Sequence, residues 1–351
     1  MNSLAVGTMS GTSLDGVDIA LCRFFESGNR WSYEIVDAHT IAYPTVWMDK
    51  LRHAHQLSAE EFLILHNEYG RYTGDLINEF LRGKEHPELI ASHGHTIFHQ
   101  PDKQFTFQLG SGASIAASTG ISTISDFRIL DVALGGEGAP LVPVGDHLLF
   151  SEFGYCLNIG GFANISFQEA GRRIAFDVCP ANIILNDLAM QMGYPYDKEG
   201  QIGASGTINE SLLKQLNDLG YYHGKWPKSL GREWLENIIY PLLTGSGLTV
   251  ADQAATIYDH IASQISRVLG NRGSVLITGG GANNLFLINK LRTKTSCRIV
   301  LPDQKLINFK EALVFAFLGV LAFKGQVNVY SSATGSSQNH IGGTIYRIEN
   351  K

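Results

Sequence analysis

Twice along this chain a short apolar run stops at a glycine-rich turn and resumes beyond it. The first copy is Leu4–Val6, a polar stretch from Gly7 to Gly16, then Val17–Leu21. The second is Tyr155–Ile159, the turn Gly160-Gly161-Phe162-Ala163, then Asn164–Phe167. Short apolar runs bounded by turn residues read as strands, so each copy predicts a hairpin. A third strand follows each hairpin, at 33–41 and at Ile174–Val178, and helices alternating with strands come next. Internal duplication of this kind predicts two similar α/β domains, with a ligand held in a crevice at strand ends.

The remaining pattern fills in both copies. Ser58-Ala59-Glu60-Glu61 is a capping box. The helix it opens puts Phe62, Leu65, Tyr69, Tyr72, Leu76 and Phe80 on one buried face. Leu89–Ser92 reads as a strand ending in His93-Gly94-His95, with further strands at Phe105–Leu109 and Ile121–Ser125 and a small-residue helix between them. In the second copy a helix is expected over Pro180–Met192, with proline at its first position. Another starts at Thr249 and runs through Leu269. Strands follow at Val275–Thr278 and Arg298–Leu301, then a helix at Phe309–Phe323. The irregular Asp126–Pro143 stretch is a domain boundary or a functional loop. The domain limits read from this pattern are 1–135 and 136–324, with 325–351 returning to the first.

Length and charge narrow the function. At 351 residues the chain exceeds one ordinary core. A net charge of −6 argues against nucleic acid as the main partner. Cys22, Cys156, Cys179 and Cys297 are widely spaced with no C-x-x-C, which signals neither a zinc site nor a disulfide framework and fits a reducing compartment. The N-terminus has no signal-peptide pattern. The apolar run Ala312–Phe323 is shorter than the roughly 20 residues of a membrane helix. A cytoplasmic protein is the expectation.

Three glycine loops and one carboxylate carry the chemistry. Residues 7–16 offer backbone N–H groups, hydroxyls and the carboxylates of Asp15 and Asp18, a set suited to phosphate and to Mg²⁺ through water. No lysine follows the glycines, so this is not a Walker A loop. The turn 158–164 and the run Thr278–Asn284, with Gly279, Gly280 and Gly281, are the other two. Any one of them suits an ordinary tight turn; three in duplicated units point to a nucleotide. Asp177 stands after a strand and before a helix, where it serves either as a general base or as a helix cap. His93, His95 and His99 lack the carboxylate or cysteine that a metal site would add, so substrate contact or packing is the better reading. Cys179 reads as a small buried residue rather than a nucleophile, for want of a paired histidine.

The stretch Gly7–Asp18, with its Met-Ser-Gly-Thr-Ser-Leu-Asp-Gly-Val-Asp core, closely resembles the signature of anhydro-N-acetylmuramic acid kinases. So do Ser92–Thr96, Asp126-Phe127-Arg128, Gly135–Pro143, Asn158–Asn164, Gly279–Asn284 and Glu311-Ala312, in order along nearly the whole chain. The resemblance implies two ribonuclease-H-like domains of the actin-like ATPase class, flanking a nucleotide cleft. It implies ATP and Mg²⁺ as cofactors. The implied reaction opens 1,6-anhydro-N-acetylmuramic acid with water, phosphorylates its 6-oxygen and gives N-acetylmuramic acid 6-phosphate for peptidoglycan recycling. Asp177 matches the catalytic base and Glu311 an acid near the sugar. Gly11, Thr12, Ser13, Leu14, Asp15, Gly16, Val17 and Asp18 match the ATP-binding loop. Gly160, Gly161, Asn164, Gly279, Gly280 and Gly281 are the further nucleotide candidates; Ser92, His93, His95, Asp126 and Asn182 are the sugar candidates. No residue is assigned as a metal ligand. The expected partners are ATP and a small sugar, without nucleic acid or membrane, and a homodimer is compatible with the chain.

Two departures from the family pattern stand out. Asp-Thr-Gly-Pro-Gly-Asn is expected where this chain has Asp177-Val178-Cys179-Pro180-Ala181-Asn182, and His95 replaces an expected Gln. The extra volume in the first bears on the sugar pocket. Two alternatives remain: another sugar kinase of the same fold, or a non-catalytic actin-like nucleotide-binding protein.

Overall fold

The duplication is visible in strand order. The computed structural model describes residues 2–11, 14–28, 30–226, 228–270 and 273–349. It divides into two compact units, Met1–Leu149 with Phe309–Lys351, and Phe150–Asn308. In the first, β1 (Asn2–Ser10), β2 (Gly16–Ser27) and β3 (Arg30–Ala42) form an antiparallel meander. β4 (Leu89–Gln100) then pairs parallel to β1, β5 (Phe105–Leu109) pairs with β4, and β6 (Thr123–Ser125) lies parallel to β4. In the second unit, β7 (Tyr155–Ile159), β8 (Phe162–Glu169) and β9 (Arg172–Pro180) form the same meander. β10 (Ser274–Thr278) pairs parallel to β7 and β11 (Arg298–Val300) parallel to β10. The orders β6-β4-β1-β2-β3 and β11-β10-β7-β8-β9 are thus equivalent. β12 (Thr344–Tyr346), which no apolar run announces, adds antiparallel to β6.

Local chemistry sets these elements. Ser58 caps the helix Ala59–Phe80 through the full capping box with Glu61. Leu65, Tyr69, Ile77 and Phe80 of that helix are buried with Leu4, Val6, Ile19 and Leu21 of the sheet. Phe62, Tyr72 and Leu76 pack on the same core from its margin. Thr249 caps Val250–Val268, the helix that closes the second core.

Several boundaries differ from those read in the sequence. β4 does not stop at Ser92 but continues to Gln100, because β5 supplies a partner for residues 95–100. Gly94 makes the bend at φ +73°, and a Cβ there would lie 2.6 Å from the Leu109 carbonyl oxygen. Pro180 is not the first residue of a helix. It ends β9 opposite Phe162, and the helix begins at Asn182. The first unit extends to Leu149 rather than 135 and resumes at Phe309. The helix Pro143–Leu149 is tied there by a buried Asp146–Lys310 ion pair of 2.7 Å.

The helix Gln304–Phe323 is long and apolar enough by length and composition to cross a membrane. Its most apolar window is 78% buried within the protein, which marks it as a core helix. Glycine makes that burial possible: a Cβ on Gly7 would sit 1.9 Å from the Ala312 carbonyl oxygen, and one on Gly319 2.5 Å from Ala91 Cβ. Because helix backbone occupies the space, Gly7→Ala forces strand and helix apart and costs about 3 kcal/mol, the upper part of the overpacking range. A lowered urea midpoint at unchanged slope checks this. Gly245→Ala, where nothing lies within 4 Å, leaves the midpoint level or raised.

Candidate active site

Each hairpin brings its polar residues to one place. In the second unit the register aligns Asn158, Asn164 and Asp177 across β7, β8 and β9. Paired residues in adjacent strands share a face, so these three form one polar row. Their neighbours Leu157, Ile165 and Phe176 face the opposite way, into the core. A bulge at Val178 interrupts the β8–β9 register beside Asp177 and re-aims the strand there.

Asp177 is held by a segment the sequence does not single out. Its Oδ2 accepts the Leu230 amide at 2.9 Å, and its carbonyl accepts the Tyr221 hydroxyl at 2.6 Å. Its own amide donates to the Lys228 carbonyl at 3.3 Å. Burial raises the Asp177 carboxyl above the ordinary aspartate range, against the Leu230 amide, which lowers it. The side chain is therefore not spent on capping the following helix. Backbone carbonyls of Gly160 and Gly161 accept instead from the amides of Asn182, Ala181 and Ile183. The Asn182 side chain donates to the Ile159 carbonyl at 3.2 Å.

The substitutions around Asp177 are absorbed by the core. Val178, Cys179 and Ala181 are all buried in the hydrophobic cluster of the second unit. Burial, then the Asp177 charge, push the Cys179 thiol far up, so it is a packing residue without thiolate character.

The glycines divide into two kinds. A Cβ on Gly279 would meet Asn158 Oδ1 at 2.5 Å, on Gly281 Ile159 Cγ2 at 2.2 Å, and on Gly16 the Ile41 carbonyl at 2.3 Å. Those three are fixed by packing. At Gly160, Gly161 and Gly280 the nearest atoms to a Cβ lie at 3.6–3.7 Å and φ is not positive. Neither packing nor backbone geometry demands glycine there, and the bare backbone suits close approach of a ligand.

The first unit gathers a second group. Asp18, opposite Met9 and Thr40, accepts the Thr40 hydroxyl through Oδ1 at 2.6 Å. Burial raises its carboxyl, Thr40 lowers it and Asp15 raises it further. Val17 is buried in the core and Leu14 packs against it, so neither presents its side chain to a phosphate. Thr12 and Ser13 lie outside the described residues. Glu311, on the Gln304–Phe323 helix, is raised by burial, lowered by Arg128 and Lys310, and raised by Asp18. Arg128 itself is brought down to about 10 by burial.

Arg128 settles the state of His93. Its Nε and Nη2 reach His93 Nε2 at 3.1 and 2.8 Å, and a guanidinium only donates. His93 Nε2 is therefore unprotonated and Nδ1–H donates to the Gly94 carbonyl at 2.9 Å. His95 Nδ1 lies 2.8 Å from Ser10 Oγ, at the end of a buried chain through Tyr43 to Tyr69. Burial takes His95 down to about 4, so it is neutral at pH 7 and replaces an amide without adding charge. Ser92 accepts the Thr8 hydroxyl at 3.1 Å. Asp126 sits in the left-handed region at φ +61° and accepts from Ser125, with burial raising its carboxyl. The sequence candidates thus fall into two clusters, one on each unit. Arg128 joins the first and Asn158 the second; both lie inside motifs visible in the sequence, which assign them no role. The 221–230 segment also joins the second, and no motif announces it.

The chain matches known proteins along nearly its whole length. The family model described as anhydro-N-acetylmuramic acid kinase matches residues 3–348. A relative of that description from Pseudomonas putida is 34% identical over 373 residues, covering 98% of this chain and 99% of its own. One from Gloeobacter violaceus is 32% identical, covering 96% of each. Among solved structures, a ROK family glucokinase from Streptomyces griseus in complex with glucose and AMPPNP aligns at a TM-score of 0.40 and 11% identity, over 90% of this chain and 98% of that one.

Proposed function

The chain belongs to the anhydro-N-acetylmuramic acid kinase family, and from that premise we propose that it uses ATP to phosphorylate O6 of 1,6-anhydro-N-acetylmuramic acid while water opens the internal acetal. The observation that carries the reading is Asp177: a carboxylate set beside a bulge in a polar row, held by one backbone amide and raised toward neutrality by burial. That is what a general base needs.

Asp177 takes a proton from the water whose oxygen attacks C1. The C1–O6 bond breaks, its electron pair stays on O6, and O6 bonds the γ-phosphorus as ADP leaves with the pair of the broken P–O bond. On the first unit Glu311 and Arg128 hold the sugar's hydroxyl and ring oxygens, with Ser92, His95 and Asp126 as further sugar contacts, while His93, both ring nitrogens committed, fixes Arg128. On the second unit Asn182 is the sugar candidate. The open backbone at Gly160, Gly161 and Gly280, with Asn164 beside it, takes the nucleotide. Gly279 and Gly281 support that surface by packing.

The donor set fits a magnesium ion. Asp18 commits Oδ1 to Thr40, its Oδ2 has no protein partner among the described residues, and Asp15 adds negative charge nearby. One carboxylate with phosphate oxygens and water is the usual Mg²⁺ environment. Bound there, the ion would neutralise the phosphates during transfer. The proposed setting is the cytoplasm, where a turnover product of peptidoglycan would be recycled.

The test is an ADP-release assay with the anhydro sugar in ¹⁸O-labelled water. The label should appear at C1 of a 6-phosphorylated product. ADP release with no label at C1, or with a simple sugar hydroxyl as the better acceptor, points to another sugar kinase. ATP binding with no sugar-dependent turnover points to a nucleotide-binding protein.

A further inference from the structure

The second unit contains a cavity of about 390 Å³ that the reaction does not use. It begins at Tyr155, the first residue of β7, whereas the Gly160–Gly161 turn lies at the other end of that strand. Its sheet side is Tyr155, Phe167, Phe176 and Val178, on the face opposite Asp177. Phe176 and Trp226 are parallel within 6°, ring centroids 5.9 Å apart, and Phe167 meets Trp226 edge-on.

Two cations line the same cavity. Lys228 Nζ donates to the Tyr221 carbonyl at 3.0 Å and lies over the rings of Tyr221 and Phe176. Arg267 donates a long bond of 3.4 Å to the Asn217 carbonyl, its one hydrogen bond among the described residues. Neither has a carboxylate partner among the described residues, and burial, then the Arg267 charge, depress the Lys228 ammonium. Glu169 is the acidic residue of the lining. Aromatic faces beside two cations and one carboxylate, a lining of net positive charge, suit a flat ring bearing a carboxylate, sulfonate or phosphate.

The cavity shares its wall with the catalytic segment. Lys228 accepts the Asp177 amide through its carbonyl, Tyr221 donates to the Asp177 carbonyl, and Leu230 donates to the carboxylate. We propose that this cavity is an accessory site for a small anionic ring compound, and that its occupation tightens the 221–230 segment that holds Asp177. The base role assigned to Asp177 is the premise for its relevance; the binding itself is independent of that role.

The probe is 2-naphthoate, titrated by calorimetry into the full chain with and without saturating ADP, with hydrogen exchange followed at the Leu230 amide. Binding should persist in ADP and slow exchange at Leu230. Loss of one charge-assisted contact in Arg267→Ala should weaken binding about tenfold or more, and Trp226→Ala should weaken it through the stacking face. Folding of each variant is checked by its unchanged melting curve. No binding at millimolar probe overturns the proposal, as does equal binding by both folded variants, displacement by ADP, or unchanged Leu230 exchange in the bound protein. Turnover is not measured, so failure here and failure of the kinase reading are separate results.

Discussion

Asp177→Asn is expected to cut sugar-dependent ADP release by about 10³–10⁴-fold, the upper part of what one general base supplies. The amide keeps the shape and the bond from Leu230 but cannot take a proton from water. ATP affinity should be unchanged, because the effect lies on proton transfer. The same variant should melt at a higher temperature at pH 7. The native carboxyl of Asp177 is raised by burial, so between the unfolded pKa of about 3.9 and the raised native one the folded state binds more protons. Stability from this group is therefore full below the unfolded value and is lost as pH rises through the native value. Asn removes that loss. The wild-type rate follows the opposite course, rising with pH as Asp177 ionises, so the acid limb of kcat should sit above the usual aspartate range and vanish in Asp177→Asn. A variant that is less stable, or that keeps its acid limb, places Asp177 in a structural role.

Much of the fold is legible because apolar runs and turn residues report strands directly. β5 and β7 fall where Phe105–Leu109 and Tyr155–Ile159 predict them, and Ser58 caps its helix as its spacing with Glu61 requires. Other features have no such signal. β4 runs past Ser92 only because β5 pairs with it, a tertiary fact. Pro180 looks like a helix start but is placed by its pairing with Phe162. The helices between Gly193 and Thr249 are eight residues or shorter, so even the buried Leu212 and Leu216 of Glu210–Asn217 span little more than one turn of pattern. The site is legible in part. Asp177 is visible as a carboxylate at a strand–helix junction, but what holds it is a backbone amide at Leu230, which any residue but proline would supply. Glycines in one run look alike in sequence, yet Gly279 answers to Asn158 and Gly281 to Ile159, while Gly280 is open.

Glu311→Gln should lower kcat by about 10²-fold, the loss of a charge-assisted hydrogen bond to the sugar that is strongest in the transition state, and raise the melting temperature. Gly7 brings the Gln304–Phe323 helix onto β1 one residue beyond Glu311, so the carboxylate is placed by backbone contact and not by a flexible loop. The neighbouring cations act on it through charge: Arg128 is hydrogen-bonded to His93 and Gly138, and Lys310 is paired with Asp146. Burial and the Asp18 charge both favour its neutral form. The direction is that of Asp177: protons are held more tightly in the folded chain, so stability from Glu311 fades as pH rises through its native value, and Gln abolishes that fading. A structural carboxylate would behave differently, since removing it would destabilise the chain and leave kcat near wild type in whatever protein remained folded. Arg128→Lys separates the two further. Lysine keeps the charge but loses the fork that binds His93 and Gly138. With Glu311 acting on the sugar and positioned by charge, Arg128→Lys retains the pH dependence of Glu311 while sugar KM rises, because the cation is no longer held in place by His93 and Gly138.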